Sequence, residues 1–267
     1  MKPAENTKAT AAFTAQSAVF DAIYKPSPIV QYKRERVWAL LQKHLKPSSR
    51  VLELNAGTGE DALWLANQGH TVVATDASSG MIAQQKSKVA AENLEAKIES
   101  RELSFLELDA LKGQKFDAVF SNFGGLNCTD KLEKVLADAD ALLHPGGMLC
   151  LTIMPPNCFW EWAWIFTGKF KKAFRRYQKG GTPAHIEGAY FTTWYYKPSF
   201  VKSHLPHYKV LALEALCLAI PPEHHKKIIE HRPRLFAFLK WKENAIKSWP
   251  ILCGWGDYFV IVLQKAG

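Results

Sequence analysis

Nowhere among the 267 residues do about 18 apolar residues run uninterrupted, which argues against a membrane-spanning helix. The opening MKPAENTKATAAF lacks the apolar core of a secretory signal, so a cytoplasmic location is expected. Cysteine is sparse: Cys128, Cys150, Cys158, Cys217 and Cys253 are odd in number, widely spaced and mostly set among apolar or aromatic residues. Buried free thiols in a reducing compartment are expected, rather than a disulfide or metal framework. Neither a C-x-x-C pair nor an H-E-x-x-H helix occurs, so no metal site is expected. Internal repeats and low-complexity tracts are also missing. Acid is absent between Glu161 and Glu187, where Lys169, Lys171, Lys172, Arg175, Arg176 and Lys179 accumulate. The net charge of +9 (34 basic minus 25 acidic residues) makes nucleic acid a partner to be weighed.

What is present begins with VLELNAGTGEDALWLANQGHTVVATD, residues 51–76. Val51 to Leu54 fits a buried strand, Gly57-Thr58-Gly59 a tight turn, and Ala62, Leu63, Leu65 and Ala66 the apolar face of a helix. Thr71 to Thr75 then gives a second strand ending at Asp76. Such a βαβ unit builds a parallel sheet with ligands at the carboxyl ends of its strands. Gly57, Gly59 and Ala62 satisfy the G-x-G-x-x-A dinucleotide pattern, with Asp76 where a ribose-binding acid belongs. The charges point elsewhere. A pyrophosphate would sit on the helix N-terminus, but Glu60 and Asp61 occupy that first turn and Glu53 lies just before it. Three acids suit a cationic ligand, and S-adenosylmethionine carries an ammonium and a sulfonium but no phosphate.

On these residues the chain resembles the class I S-adenosylmethionine-dependent methyltransferases, whose first motif, acid-x-Gly-x-Gly-x-Gly, here reads Glu53-Leu54-Asn55-Ala56-Gly57-Thr58-Gly59. Asn55 replaces the first glycine. Asparagine readily takes positive φ, so the turn is expected to survive. The resemblance implies Asp76 as bidentate acceptor for the ribose hydroxyls, with Ala77 and Met81 near the adenine. Ser104 and Phe105 align with the Asp-Ala pair that often touches the adenine, which leaves backbone recognition there. FDAVFSNFGGLNC resembles the fourth strand and active-site turn with Asn122 and Phe123, and ADALLHPGGMLCLTIM the helix, turn and fifth strand. These motifs keep the family's order across about residues 45–155 and imply an α/β, Rossmann-like, doubly wound seven-stranded sheet. Its strands are expected to be mostly parallel with an antiparallel last strand, with helices on both faces and a lid insertion after strand five.

The division implied is an N-terminal helical cap (1–45), a cofactor-binding core (46–155), an acceptor-binding lid (156–205) and C-terminal strands and helix completing the core (206–267). In the family the cap folds over the cofactor, which makes Tyr24, Tyr32 and Arg34 candidate neighbours of the methionine carboxylate; surface or helix packing is the alternative for each. The lid carries Phe159, Trp160, Trp162, Trp164 and Phe166 ahead of its basic run. Three readings stand: a solvated basic helix on an aromatic mini-core, a pocket for an apolar or aromatic acceptor with an anionic group, or contact with a membrane surface. YKVLALEALCLAI and DYFVIVLQKA read as strands six and seven, with one amphipathic helix between them whose His224, His225 and His231 form a polar face.

The resemblance implies methyl transfer from S-adenosylmethionine by in-line displacement, and the composition of the lid points to a small aromatic or lipophilic acceptor with an anionic group. A base is needed only if the nucleophile must lose a proton; His185 is the base candidate, with Asn122 and Tyr190 as orienting groups. A surface histidine is the alternative for His185. An RNA methyltransferase is the runner-up, but the basic and aromatic residues do not interleave along a groove, and the Asp/Asn-Pro-Pro-Tyr/Phe turn of amino-group nucleic-acid methyltransferases is missing. A noncatalytic S-adenosylmethionine-binding protein remains the alternative from another class. The overall pattern is most similar to the small-molecule and lipid branch, including the quinone-biosynthesis methyltransferases.

Overall fold

The computed structural model describes residues 5–186 and 188–267. Two helices lead: α1 (Glu5–Tyr24) and α2 (Pro28–His44). Ser27 caps α2 by accepting the Val30 N–H at 3.3 Å, and Pro28 enters at the first helical position, where its missing donor costs nothing. Then β1 (Arg50–Leu54), α3 (Glu60–Asn67), β2 (Thr71–Asp76), α4 (Ser79–Ala91), β3 (Ile98–Glu102), β4 (Phe116–Ser121), α5 (Leu132–Leu142) and β5 (Leu143–Ile153) alternate as a doubly wound unit. The insertion holds α6 (Phe159–Trp162), α7 (Phe170–Ala173), β6 (Thr182–Ile186) and β7 (Ala189–Thr193). The chain ends with α8 (Pro198–His204), β8 (Tyr208–Leu216), α9 (Pro233–Ile246) and β9 (Tyr258–Lys265).

The main sheet has the order β3-β2-β1-β4-β5-β9-β8. β1 to β5 run parallel, and β9 lies antiparallel between β5 and β8. Val51, Leu52, Val119 and Phe120 are fully buried on alternating sides, because helices cover both faces and central strands therefore read as continuous apolar runs. One core layer gathers Leu52, Leu54, Phe116, Leu136 and Phe259, and the other Val37, Leu65, Val72, Phe120 and Val262. The seven-stranded mostly parallel sheet with its insertion agrees with the sequence-based expectation.

Two features differ from it. The insertion closes as a two-stranded hairpin, β6 with β7, whose inner face packs on α1 through Phe191, Ala9 and Ala12. The single amphipathic helix expected between the last strands is broken: a 3-10 turn spans Glu223–Ile228 and α9 starts only at Pro233. His231 sits at φ 60° between them, and proline at 233 disfavours helical backbone in the residue before it. Across the other end of the fold, α1 crosses α4 at Gly80, where any β-carbon would meet Ser17 and the Thr14 carbonyl.

Candidate functional site

The strand order reverses direction between β1 and β4, and the crevice beyond their carboxyl ends is where an open α/β sheet holds its ligand. Leaving β1, the chain turns through Asn55 (φ 47°), Gly57 (φ 57°) and Gly59 (φ 84°). Asn55 therefore adopts the left-handed conformation expected of it. Its side chain accepts from the Ser121 hydroxyl at 2.7 Å and donates to the Asn122 carbonyl at 3.0 Å, which ties the first turn to the end of β4. It lies so close over Gly125 that no β-carbon would fit there. A β-carbon on Gly57 would meet nothing within 4 Å, so the backbone at that corner is open to a ligand.

Asp76, at the end of β2, accepts the Gly57 N–H at 2.9 Å and the Ser78 N–H at 2.8 Å. Burial pushes its carboxyl up, and the two amide bonds oppose that shift. A carboxylate offers about four acceptor positions, so two remain for hydroxyl donors. Glu53 is 2% exposed, and its Oε2 has no hydrogen-bond partner. Burial drives its pKa well above the usual carboxylate range, Asp61 and Asp76 add to the rise, and Arg34 restrains it.

Two of the three acids expected to attract a cation are already paired within the protein. Glu60 is neutralised by Lys88 at 2.7 Å and Lys25 at 3.3 Å, while Asp61 accepts Arg34 Nε at 3.0 Å, Trp38 Nε1 at 2.8 Å and Asn122 Nδ2 at 2.9 Å. Those pairs reach across to α2, α4 and the residues just after α1 and β4, which the local sequence could not show. Glu53 is the acid left without a hydrogen bond to its inner oxygen, and an orphaned buried carboxylate beside an open glycine turn fits a cationic ligand group.

Arg34 is 8% exposed and stands over the Phe123 ring at 5.0 Å, beside the turn that leaves β4. Phe123 itself has φ 52°, an unusual conformation for a bulky residue and one that clusters at functional turns. Asn122 is occupied as a brace, donating to Asp61 and accepting the Phe123 N–H at 2.8 Å. Ala56 donates to the Thr75 carbonyl at 2.9 Å, and half-buried Ala77 follows Asp76 directly. Ser104 shapes the loop after β3 by accepting the Leu106 N–H at 3.2 Å. Tyr24 packs tilted against Phe20, ring centres 4.7 Å apart, near the α1 end that also reaches Thr58 through Asp21, at 2.6 Å.

Other expected site residues are elsewhere. Tyr32 is buried among Ile29, Cys217, Ile220 and Ile229 and accepts from Arg36, because the α2 face carrying Ile29, Tyr32 and Arg36 turns towards β8 and α9. Met81 is 1% exposed, and Phe105, 7% exposed, packs in the core layer with Leu108 and Leu126. His185 and Tyr190 form a cross-strand pair, their rings tilted at 47° with centres 4.6 Å apart, and both are exposed. Strand alternation sends Ala184, Ile186 and Phe191 inward to α1 and these two outward, so the structure does not bring His185 to Asn122 as a base.

Three residues escaped the sequence reading. Gln85 is fully buried against Gly59 with both amide atoms unpartnered. His225 is no member of a solvated polar face: its ring lies 6.2 Å from Trp160 and 5.8 Å from Trp164. Lys33 is 4% exposed, although Lys33-Arg34-Glu35-Arg36 reads as a solvated run. The insertion is locked to the sheet by Arg176, which bonds Glu161 at 2.7 Å and Asp257 at 2.8 Å. All five cysteines are buried and unpaired.

Residues 51–147 match the family model described as a methyltransferase domain. A demethylmenaquinone methyltransferase of Corynebacterium glutamicum is 30% identical over 144 residues, covering 50% of this chain and 56% of that protein. The chain thus spans little more than half the length of this relative. Among solved structures, the Burkholderia thailandensis 1,6-didemethyltoxoflavin-N1-methyltransferase, with bound 1,6-didemethyltoxoflavin and S-adenosylhomocysteine, superposes with a TM-score of 0.60 at 17% identity. That match covers 98% of this chain and 89% of the other. The [4+2]-cyclase SpnF superposes with a TM-score of 0.61 at 14% identity, over 97% and 95% of the two chains. At such identities the likeness concerns the fold, and a cyclase sharing it shows that fold alone does not name a reaction. Over residues 51–147 the core of this chain is thus similar in sequence to methyltransferase domains, and its sheet order is shared with the solved structures it superposes on.

Proposed function

We propose that the protein transfers the methyl group of S-adenosylmethionine, by in-line displacement, to a small aromatic or lipophilic acceptor bearing an anionic group. The observation that carries this reading is Glu53: buried, its inner oxygen unpartnered, beside the open Gly57 corner and Asp76. Glu53 would take the cofactor's ammonium, Asp76 its ribose hydroxyls and Arg34 its carboxylate. The cofactor supplies a methyl group on a sulfonium, already an excellent leaving group. The chain's part is positioning and exclusion of water. Phe123 flanks the crevice at the end of β4, and Asp61 with Asn122 holds Arg34 and the turn in register. Residues 156–205 read as the acceptor lid in this proposal. A calorimetric titration with S-adenosylhomocysteine, with NAD in parallel, tests it: micromolar binding of the first alone supports the reading, and binding of NAD alone overturns it.

A second reading, contact with an anionic membrane surface, is favoured by the insertion. Phe166 is 92% exposed, and Phe159 and Phe170 are exposed as well, next to Lys169, Lys171 and Lys172. Aromatic rings beside lysines suit the headgroup boundary. No described helix is long and apolar enough to cross a membrane, so such contact would be peripheral. Co-sedimentation with phosphatidylcholine vesicles, with and without phosphatidylglycerol, decides: binding that needs the anionic lipid and is lost in Phe166→Asp supports it, and no sedimentation removes it. A cytoplasmic location fits the five unpaired thiols.

A further inference from the structure

Lys33 is a buried cation held only loosely by its partners. It lies on α2, 4% exposed, with its ammonium 4.7 Å from the Tyr258 ring centre and 5.7 Å from that of Phe123. Its ion pair is a long one, 3.9 Å to Asp257 Oδ2. Asp257 has already given Oδ1 to Arg176 at 2.8 Å. Cation–π contacts are worth up to about 2 kcal/mol, whereas desolvating an ammonium costs several kcal/mol. Burial works against the Lys33 charge, yet the carboxylates of Asp257 and Glu223 favour its protonated form.

The position matters as much as the charge. Phe123 is in the turn leaving β4, and Tyr258 opens β9, which runs antiparallel and so begins at the carboxyl edge of the parallel strands. Cys217, at φ 57°, leaves β8 at the same edge. Tyr258 lies against Gly124, where a β-carbon would come within 2.9 Å of its ring. Lys33 therefore stands on the β4-β9-β8 side of the ligand edge, while Glu53, Gly57 and Asp76 occupy the β1-β2 side. The Phe123 and Tyr258 rings thus both face one buried ammonium at this edge.

We infer that Lys33 is the acceptor-side anion subsite, binding the ionised oxygen of a planar phenolic or enolic acceptor between Phe123 and Tyr258. This rests on the proposed methyl transfer but names its acceptor chemistry: an oxygen acid ionised, and so made nucleophilic, by a fixed ammonium rather than by a histidine base. The lysine holds charge and takes no proton, so the acceptor's proton leaves to solvent on binding. The groups facing the ammonium are Asp257 and Tyr258 from β9 and the loop before it, Cys217 after β8, Glu223 from the 3-10 turn, and Arg34 across Phe123. Burial pushes the Tyr258 hydroxyl up to about 12, so it stays neutral as a ring wall.

The test uses para-nitrophenol, whose colour reports its ionisation, and its methyl ether para-nitroanisole, with and without saturating S-adenosylhomocysteine. The wild-type protein should bind the phenolate about tenfold or more tightly than the ether. It should also shift the bound phenol's titration towards acid. Lys33→Met, close in shape and uncharged, should erase that preference and the shift, and Lys33→Arg should restore part of both. S-adenosylhomocysteine affinity, measured separately by calorimetry, should be retained in Lys33→Met and shows that the variant is folded. A wild-type protein without preference for the phenolate, or a Lys33→Met variant that keeps it, overturns the assignment. Failure of the proposed function appears instead as loss of S-adenosylhomocysteine binding in the wild type.

Discussion

Replacing Glu53 by glutamine should move two measurements in opposite directions. Glu53 has a buried carboxyl whose Oε2 meets no donor, and its pKa is raised by burial together with Asp61 and Asp76. A carboxyl raised in the folded state adds stability below its ordinary range, near pH 4.3, and that contribution is lost as pH rises through the raised value. At neutral pH the free protein therefore carries an uncompensated acid. Glu53→Gln should raise its melting temperature, with a gap over wild type that widens from mildly acid to neutral pH. Ligand binding should respond the other way. A hydrogen bond to a charged group is worth about 1.5–3 kcal/mol, so the variant should bind S-adenosylhomocysteine roughly ten- to a hundredfold more weakly. Pairing with the ligand's ammonium should also ionise Glu53, so wild-type binding releases a proton and strengthens as pH rises, and the variant's does not. Scanning calorimetry and titration calorimetry in buffers of different ionisation heat read all of this. A variant that binds equally well or better, or a melting temperature that falls, would refute the cationic-ligand argument.

Asp76→Ala should weaken the same titration by about 1.5–3 kcal/mol and also lower the melting temperature, because the Gly57 and Ser78 amides lose their acceptor; unchanged affinity would remove Asp76 from the site. Arg176→Ala strands Glu161 and Asp257 without their inner cation, and chemical denaturation should show a loss of about 3–5 kcal/mol. His185→Ala should leave stability within about 0.5 kcal/mol and S-adenosylhomocysteine affinity unchanged, since its ring meets Tyr190 on an exposed face. Turnover of any acceptor found by labelled methyl transfer should likewise persist in this variant, and its collapse would return His185 to the mechanism.

What the sequence determined by itself is local. The βαβ unit from Val51 to Asp76 was legible because apolar periodicity and glycine spacing act within a few residues. Positive φ at Asn55 followed from the conformational tolerance of asparagine, and the order of the later motifs followed from spacing along the chain. What only the tertiary structure decided was pairing and facing. Glu60 and Asp61 look like free acids until Lys88, Arg34 and Trp38, 23 to 28 residues away, close on them. His185 looks like a lid base until strand alternation against α1 turns it outward. Lys33 looks solvated because its neighbours in sequence are charged, but α2 is covered by the turn after β4 and by β9, more than 200 residues further on. Whether a charge is neutralised, exposed or stranded depends on groups brought together by burial, and no local pattern carries that information.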